Sequence, residues 1–176
     1  MTEGQFDAAR INELLVELDL ELQRRGVGGT IFVVGGAAMA LAYNATRVTE
    51  DIDGTFEPRD VILAAAQSVA AAQHVGPRWL SDGVAQMMPP RDDDHPHGVK
   101  IGPALTISIA SPEYVLAMKA MTSRQSDGDL KDAALLCRLL GYTNERDIES
   151  VVQRYFGRQK HFGAQELFFE RIIANI

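Results

Sequence analysis

The sequence predicts a mixed α/β (α+β) protein: a small mixed sheet flanked by helices, then a helical bundle over the C-terminal third. Three observations carry that prediction. The β-branched and aromatic run Thr30-Ile31-Phe32-Val33-Val34 ends in Gly35-Gly36, passes through a small-residue stretch at 37–43 and reaches a second strand-like run at 51–56. Leu105, Ile107 and Ile109 alternate with Thr106 and Ser108, the period of a half-buried strand. From 111 onward the segments read as helices separated by polar turns and a glycine stop.

In chain order, the first element is an amphipathic helix at about 7–25, with Ile11, Leu14, Leu15, Leu18 and Leu22 at helical spacing and Gly26 as its stop. A glycine loop leads to the strand 30–34, the helix 37–43 and the strand 51–56. Pro58 suits the first turn of a helix running to about 73, whose Val61, Ala65, Val69 and Ala72 form a small-residue face. Residues 89–98, with three prolines, three acids and two histidines, read as a solvated loop, and metal binding there is the weaker alternative. Strands are expected at 99–101 and 105–110. Ser111-Pro112-Glu113 opens a helix to about 121: a cap, a proline in the first turn and an acid near the positive end. Helices at 129–140, stopped by Gly141, and at about 145–156 and 164–174 complete the chain.

At 176 residues the chain suits one compact domain, read as a core over 1–110 with its N-terminal helix and a helical subdomain over 111–176. A hydrophobic fraction of 46% with 23% charged residues is that of a globular protein, not a disordered one. The single cysteine, Cys137, has no internal partner, which suits a reducing compartment. The N-terminal stretch carries Glu3, Asp7 and Glu13 and no long apolar run, so the expectation is a cytoplasmic protein with no membrane partner. A net charge of −7 argues against nonspecific coating of nucleic acid, which needs clustered cations. Arg124, Lys131, Arg138, Arg146, Arg154, Arg158, Lys160 and Arg171 make the C-terminal half the place to look for an RNA contact.

The candidate chemistry lies between 35 and 53. A diglycine bend at the start of a helix offers free N–H groups and the positive end of a dipole, which suit a phosphate. Asp51 and Asp53 share one face of a strand, with Ile52 on the other. Adjacent like charges repel, and a hard divalent cation such as Mg²⁺, with Mn²⁺ as the alternative, removes that repulsion and bridges to phosphates. Arg47 has the reach for a phosphate, and Thr49 is in phase with the two acids. Each feature has a plain alternative: a tight turn, an exposed strand face, ordinary surface residues. Lys119 falls on the apolar stripe with Val115, Leu116 and Met118, and Asp132 faces the same way as Leu135, Leu136, Leu139 and Leu140. Charges so placed form an internal ion pair, which Asp129 is spaced to join, or line a cleft. Trp79, Cys137 and Phe168-Phe169 read as core or interface residues, with base stacking the alternative for the phenylalanine pair.

In order, Gly35-Gly36, the helix 37–43, Arg47, Thr49 and Asp51-Ile52-Asp53 resemble the nucleotidyltransferase fold of the DNA polymerase β type. More closely they resemble the AbiEii-like toxins of bacterial toxin-antitoxin systems, including the mycobacterial MenT group. Trp79-Leu80-Ser81-Asp82 resembles a Trp-Leu-Asn-Asp element of that group, and Met118-Lys119, Arg124, Asp129 and Asp132 match its later motif. The resemblance spans about 32–141 and implies a nucleotidyltransferase core. Gly35, Gly36, Arg47, Thr49 and Lys119 would bind a nucleoside triphosphate (NTP), Asp51 and Asp53 would hold Mg²⁺, and Lys119 and Asp132 would join the catalytic set. It implies NMP transfer to RNA, the 3′ end of tRNA, by a toxin held by a cognate antitoxin. One departure stands out: the strand at 105–110 carries Thr106 and Ser108 where many such enzymes place a third carboxylate. Transfer to a protein or small molecule, and an inactive binding or antitoxin module, are the rival readings.

Overall fold

The structure is a computed structural model, and it describes residues 4–161 and 163–176. Among these residues the chain is mixed α/β, with a five-stranded mixed sheet and seven helices. It divides into two compact units, one of Met1–Gln86 with Pro96–Ala110 and one of Met87–His95 with Ser111–Ile176.

The first unit begins with α1 (Ala8–Arg24), whose first free N–H groups meet the Asp7 cap. There follow β1 (Gly29–Val33), α2 (Gly35–Ala38, continued by a π turn, Met39–Tyr43), β2 (Ile52–Glu57), α3 (Arg59–Gln73), β3 (Leu80–Ser81), β4 (His97–Lys100) and β5 (Leu105–Ile109). The strand order is β3-β2-β1-β5-β4; β1 runs antiparallel to β2 and parallel to β5, β3 parallel to β2, and β4 antiparallel to β5. Alternation sends Ile31, Val33, Ile52, Phe56, Ile107 and Ile109 into the core, where α1 and α3 pack. One reading shifts. The buried face of α3 is Ile62, Ala65, Ala66, Val69 and Ala70, one step round from the expected stripe, because alanine on either side gives the pattern little contrast. Trp79 is core, 1% exposed, and its indole N–H donates to the Ala66 carbonyl at 3.0 Å. Asp19, unremarked in the sequence, is buried and accepts from the Ala104 and Leu105 amides at 2.9 and 2.8 Å and from Gln23 at 2.7 Å.

The second unit holds α4 (Pro112–Met121), α5 (Asp127–Leu140), α6 (Glu145–Phe156) and α7 (Ala164–Ala174). Ser111 caps α4, a Ser126–Asp129 capping box starts α5, an Asn144–Asp147 box starts α6, and Gly141 at φ 71° ends α5. The segment Met87–His95 joins this unit rather than the sheet. Asp93 accepts from the Ser111 amide and hydroxyl at 2.6 and 2.7 Å, and Asp94 pairs with Arg91 and with Arg154 at 3.1 Å. Asp93 and Asp94 are therefore anchors, while Asp92, His95 and His97 stay exposed. On α5 the buried face is Leu130, Ala133, Ala134, Leu136 and Cys137, and Leu139 is 57% exposed. Phe168 and Phe169 are buried core residues. Burial pushes the Cys137 thiol up to about 12, so it stays protonated and inert.

Candidate functional site

Strand β1 delivers the chain to Val34, whose amide donates to the Asp53 carbonyl at 2.9 Å and so locks the start of α2 beside β2. Gly35 follows at φ 62°, a conformation that side chains resist. A Cβ at Gly35 would lie 3.7 Å from Asp53 Oδ2. At Gly36 a Cβ would meet Thr49 Oγ1 at 2.8 Å and Arg47 Nη2 at 3.7 Å. The diglycine is thus packed against the residues that the sequence places with it: Gly35 against Asp53, Gly36 against Thr49 and Arg47. These five belong to one small region of the first unit.

Two hydrogen-bond sets hold the returning loop. Thr49 exchanges backbone bonds with Phe6 at 2.7 and 2.9 Å, and its hydroxyl donates to the Asp51 carbonyl at 3.0 Å. The Arg47 guanidinium donates to the Val48 carbonyl. Each of Arg47, Asp51 and Asp53 also has a further interaction partner. The π turn ends at Tyr43, whose hydroxyl donates to the Ala110 carbonyl at 2.5 Å. Such turns recur at functional positions because they widen the helix locally.

Asp51 and Asp53 flank Ile52, which is fully buried, and both are partly exposed; β2 begins at Ile52, so Asp53 is a strand residue while Asp51, expected on the same strand, lies in the bend just before it. Among the described residues there is no group of three or more His, Cys, Asp and Glu side chains arranged for a metal. Two carboxylates fit Mg²⁺ nonetheless, since this ion keeps several waters and takes one or two carboxylates together with substrate phosphates. On β5, Thr106 and Ser108 occupy the outward positions, so the outward side of that strand brings hydroxyls, not a carboxylate.

Lys119 and Asp132 belong to the second unit and meet each other there. Lys119 Nζ lies 2.9 Å from Asp129 Oδ1 and 3.0 Å from Asp132 Oδ2, with the three residues 6%, 1% and 2% exposed. Arg124 forks onto Asp129 with two bonds of 2.9 Å, and the Ser126 hydroxyl donates to it at 2.6 Å. Burial alone would raise the Asp129 pKa, but the bonds from Arg124, Ser126 and Lys119 prevail and hold it well below the usual carboxylate range. Lys119 pairs with both buried acids and Arg124, its side chain 71% exposed, reaches Asp129 from the surface, so the geometry is that of the internal ion pair, enlarged by Asp129 and Arg124. Asp129 is its hub. A spacing signal for it exists: it precedes Asp132 by three residues on the same helix.

Part of the expected basic face is engaged inside its own unit. Arg154 pairs with Asp94, Arg124 with Asp129, and Arg138 donates to the Asn175 carbonyl at 3.0 Å. This unit also has an open cavity of about 460 Å³ lined by four glutamates, Glu145, Glu149, Glu166 and Glu170, together with Gln159, Lys160, His161 and Phe169. Among the described residues no helix is long and apolar enough to cross a membrane. Comparison with protein-family models, with curated proteins and with solved structures returns no match for this chain.

Proposed function

We propose that the region joining Gly35, Gly36, Arg47, Thr49, Asp51 and Asp53 is the site of a cytoplasmic, Mg²⁺-dependent nucleotidyltransferase. The observation that carries this reading is the bend itself: a left-handed glycine whose missing side chain faces a carboxylate oxygen at 3.7 Å, followed by a glycine facing a hydroxyl and a guanidinium. A nucleoside triphosphate needs anion donors next to acids that seat its metal, and here the two are adjacent.

In this reading the backbone N–H groups of Gly35 and Gly36 receive phosphate oxygens, and Arg47 supplies positive charge beside them. Asp51 and Asp53 orient the metal-bound nucleotide and receive or relay the proton of the attacking hydroxyl. Magnesium, when bound, supplies charge neutralisation on the phosphates and on the departing pyrophosphate. The acceptor oxygen forms its bond to the α-phosphorus as the bond from that phosphorus to the β-bridging oxygen breaks, and pyrophosphate leaves. Positioning and electrostatics do most of this work. The buried cluster supports a structural part for Lys119 and Asp132; a catalytic part for them rests on the resemblance alone.

The same resemblance makes the acceptor an RNA, the 3′ end of tRNA, and the protein a translation-blocking toxin with a cognate antitoxin. One observation favours the rival acceptor, a protein or small molecule: two of the basic side chains suited to an RNA track, Arg124 and Arg154, are engaged in ion pairs within their unit. Incubation with α-labelled NTPs, total RNA and candidate proteins tests both. Label following RNA supports the toxin reading, and label following a protein or small molecule supports the rival. No transfer, or transfer indifferent to Asp53→Asn, overturns the enzyme and favours a binding module, as does growth unaffected by expression of the chain.

A further inference from the structure

The sheet of the first unit has two faces of different chemistry. One is apolar and packed by helices; the other is set out by the strand register. Asp53 stands beside Ser81, the next row holds Thr55, Phe32, Ser108 and Gly98, and the row after it holds Glu57, Thr30, Thr106 and Lys100. Rows lie about 7 Å apart, two residues along each strand. Hydroxyls on the open face of a sheet are ordinary. Phe32 is not: it is the one aromatic side chain in these rows, on the central strand, partly exposed, with a hydroxyl residue on either side. At the row's end, a Cβ added at Gly98 would have nothing within 4 Å. The row therefore holds a partly exposed ring that also has a contact within the chain, two hydroxyls and, at its Gly98 end, open space.

The diglycine bend lies beside that face, since a Cβ at Gly35 would come within 3.7 Å of Asp53 Oδ2. Phe32 precedes Gly35 by three residues, about 10 Å along an extended chain, which is the reach of a nucleotide from its phosphates to its base. Bases stack on aromatic rings with little regard to identity, and ribose hydroxyls pair with side-chain hydroxyls.

We propose that the Thr55–Phe32–Ser108 row is the nucleoside subsite of the triphosphate whose phosphates rest on the bend: the base stacks on Phe32 and the sugar hydroxyls bond to Thr55 and Ser108. This rests on the nucleotide reading of the bend and adds to it where the base lies, held by stacking that makes little distinction between bases. The test compares ATP with inorganic tripolyphosphate, each with Mg²⁺, by calorimetry on the full chain. ATP binds roughly ten-fold more tightly than tripolyphosphate, one stacked base's worth. Phe32→Leu removes that advantage and leaves tripolyphosphate binding unchanged, Phe32→Tyr restores it, and Ser108→Ala and Thr55→Val each reduce it several-fold. If Phe32→Leu, or the two hydroxyl variants together, leave the ATP-to-tripolyphosphate ratio unchanged, the subsite is wrong while the bend reading stands. If Phe32→Leu weakens both ligands alike, the ring is only structural and the subsite is again wrong. If neither ligand binds the native chain, the bend reading fails and takes the subsite with it.

Discussion

Asp53 and Lys119 are both charged residues tied into the structure, and their substitution should have opposite consequences. Asp53 stands on the partly exposed side of β2, so Asp53→Asn should lower transfer by about 100-fold or more while the melting temperature moves little. A single-turnover assay beside a thermal melt checks both halves. Lys119 is buried between two carboxylates. Lys119→Met leaves Asp132 without that cation, and the expected loss is about 3–5 kcal/mol in denaturant unfolding. Adding Asp132→Leu should recover part of that loss, because Asp129 still holds Arg124. At the bend, Gly35→Ala forces a side chain into the left-handed region and costs about 1–2 kcal/mol. Gly36→Ala drives a methyl against the Thr49 hydroxyl instead, so its effect should fall on nucleotide binding as well as on stability. The residues of the proposed site stand out in the sequence because glycine pairs and closely spaced acids are local patterns. Asp19 was not singled out, although it obeys the rule that drew attention to Lys119: it sits among Leu15, Leu18 and Leu22 on an apolar stripe, and besides Gln23 its partners are backbone amides some 85 residues away.

Helix α5 joins a capping box to an ion cluster, which makes the start of the helix sensitive to acid. Asp129 has a lower pKa folded than unfolded, so its contribution is fully present above the ordinary carboxylate pKa, about 4. It is lost progressively as the pH falls below that toward the depressed value. The helical unit should therefore melt at lower temperature in acid, and Asp129→Asn should flatten that dependence; circular dichroism melts between pH 2 and 6 measure it. Helix α4 has a different device. Its cap residue is itself held by Asp93, so Asp93→Ala should speed amide exchange in the first turn of α4 and cost roughly 1–2 kcal/mol. The helix boundaries were readable from Ser111, Gly141 and the apolar repeats. The buried faces of α3 and α5 were not fully readable, because alanine fits either side and Leu139 is left in solvent.

For the whole molecule, the division into two units is not a single cut. The chain passes from one unit to the other at 86–87, 95–96 and 110–111, and Met87–His95 belongs with helices that come later in sequence. A fragment ending at Ala110 lacks Ser111 and Arg154, the partners of Asp93 and Asp94. Its amides between 87 and 95 should exchange far faster than in the full chain, while those of β1 and β5 stay protected. Hydrogen exchange with peptide-level readout distinguishes the two.

By itself the sequence determined the kinds of element, most of their ends, and the short-range set of Gly35, Gly36, Arg47, Thr49, Asp51 and Asp53, because periodicity, caps and turn chemistry act over a few residues. Tertiary structure alone decided what long-range pairing controls. It set the strand order that lines Phe32 up with Thr55 and Ser108, the carboxylates that hold Lys119, and the helices that claim the 87–95 loop. Register and burial depend on which distant surfaces meet, and that free energy belongs to the folded chain, not to any one stretch of it.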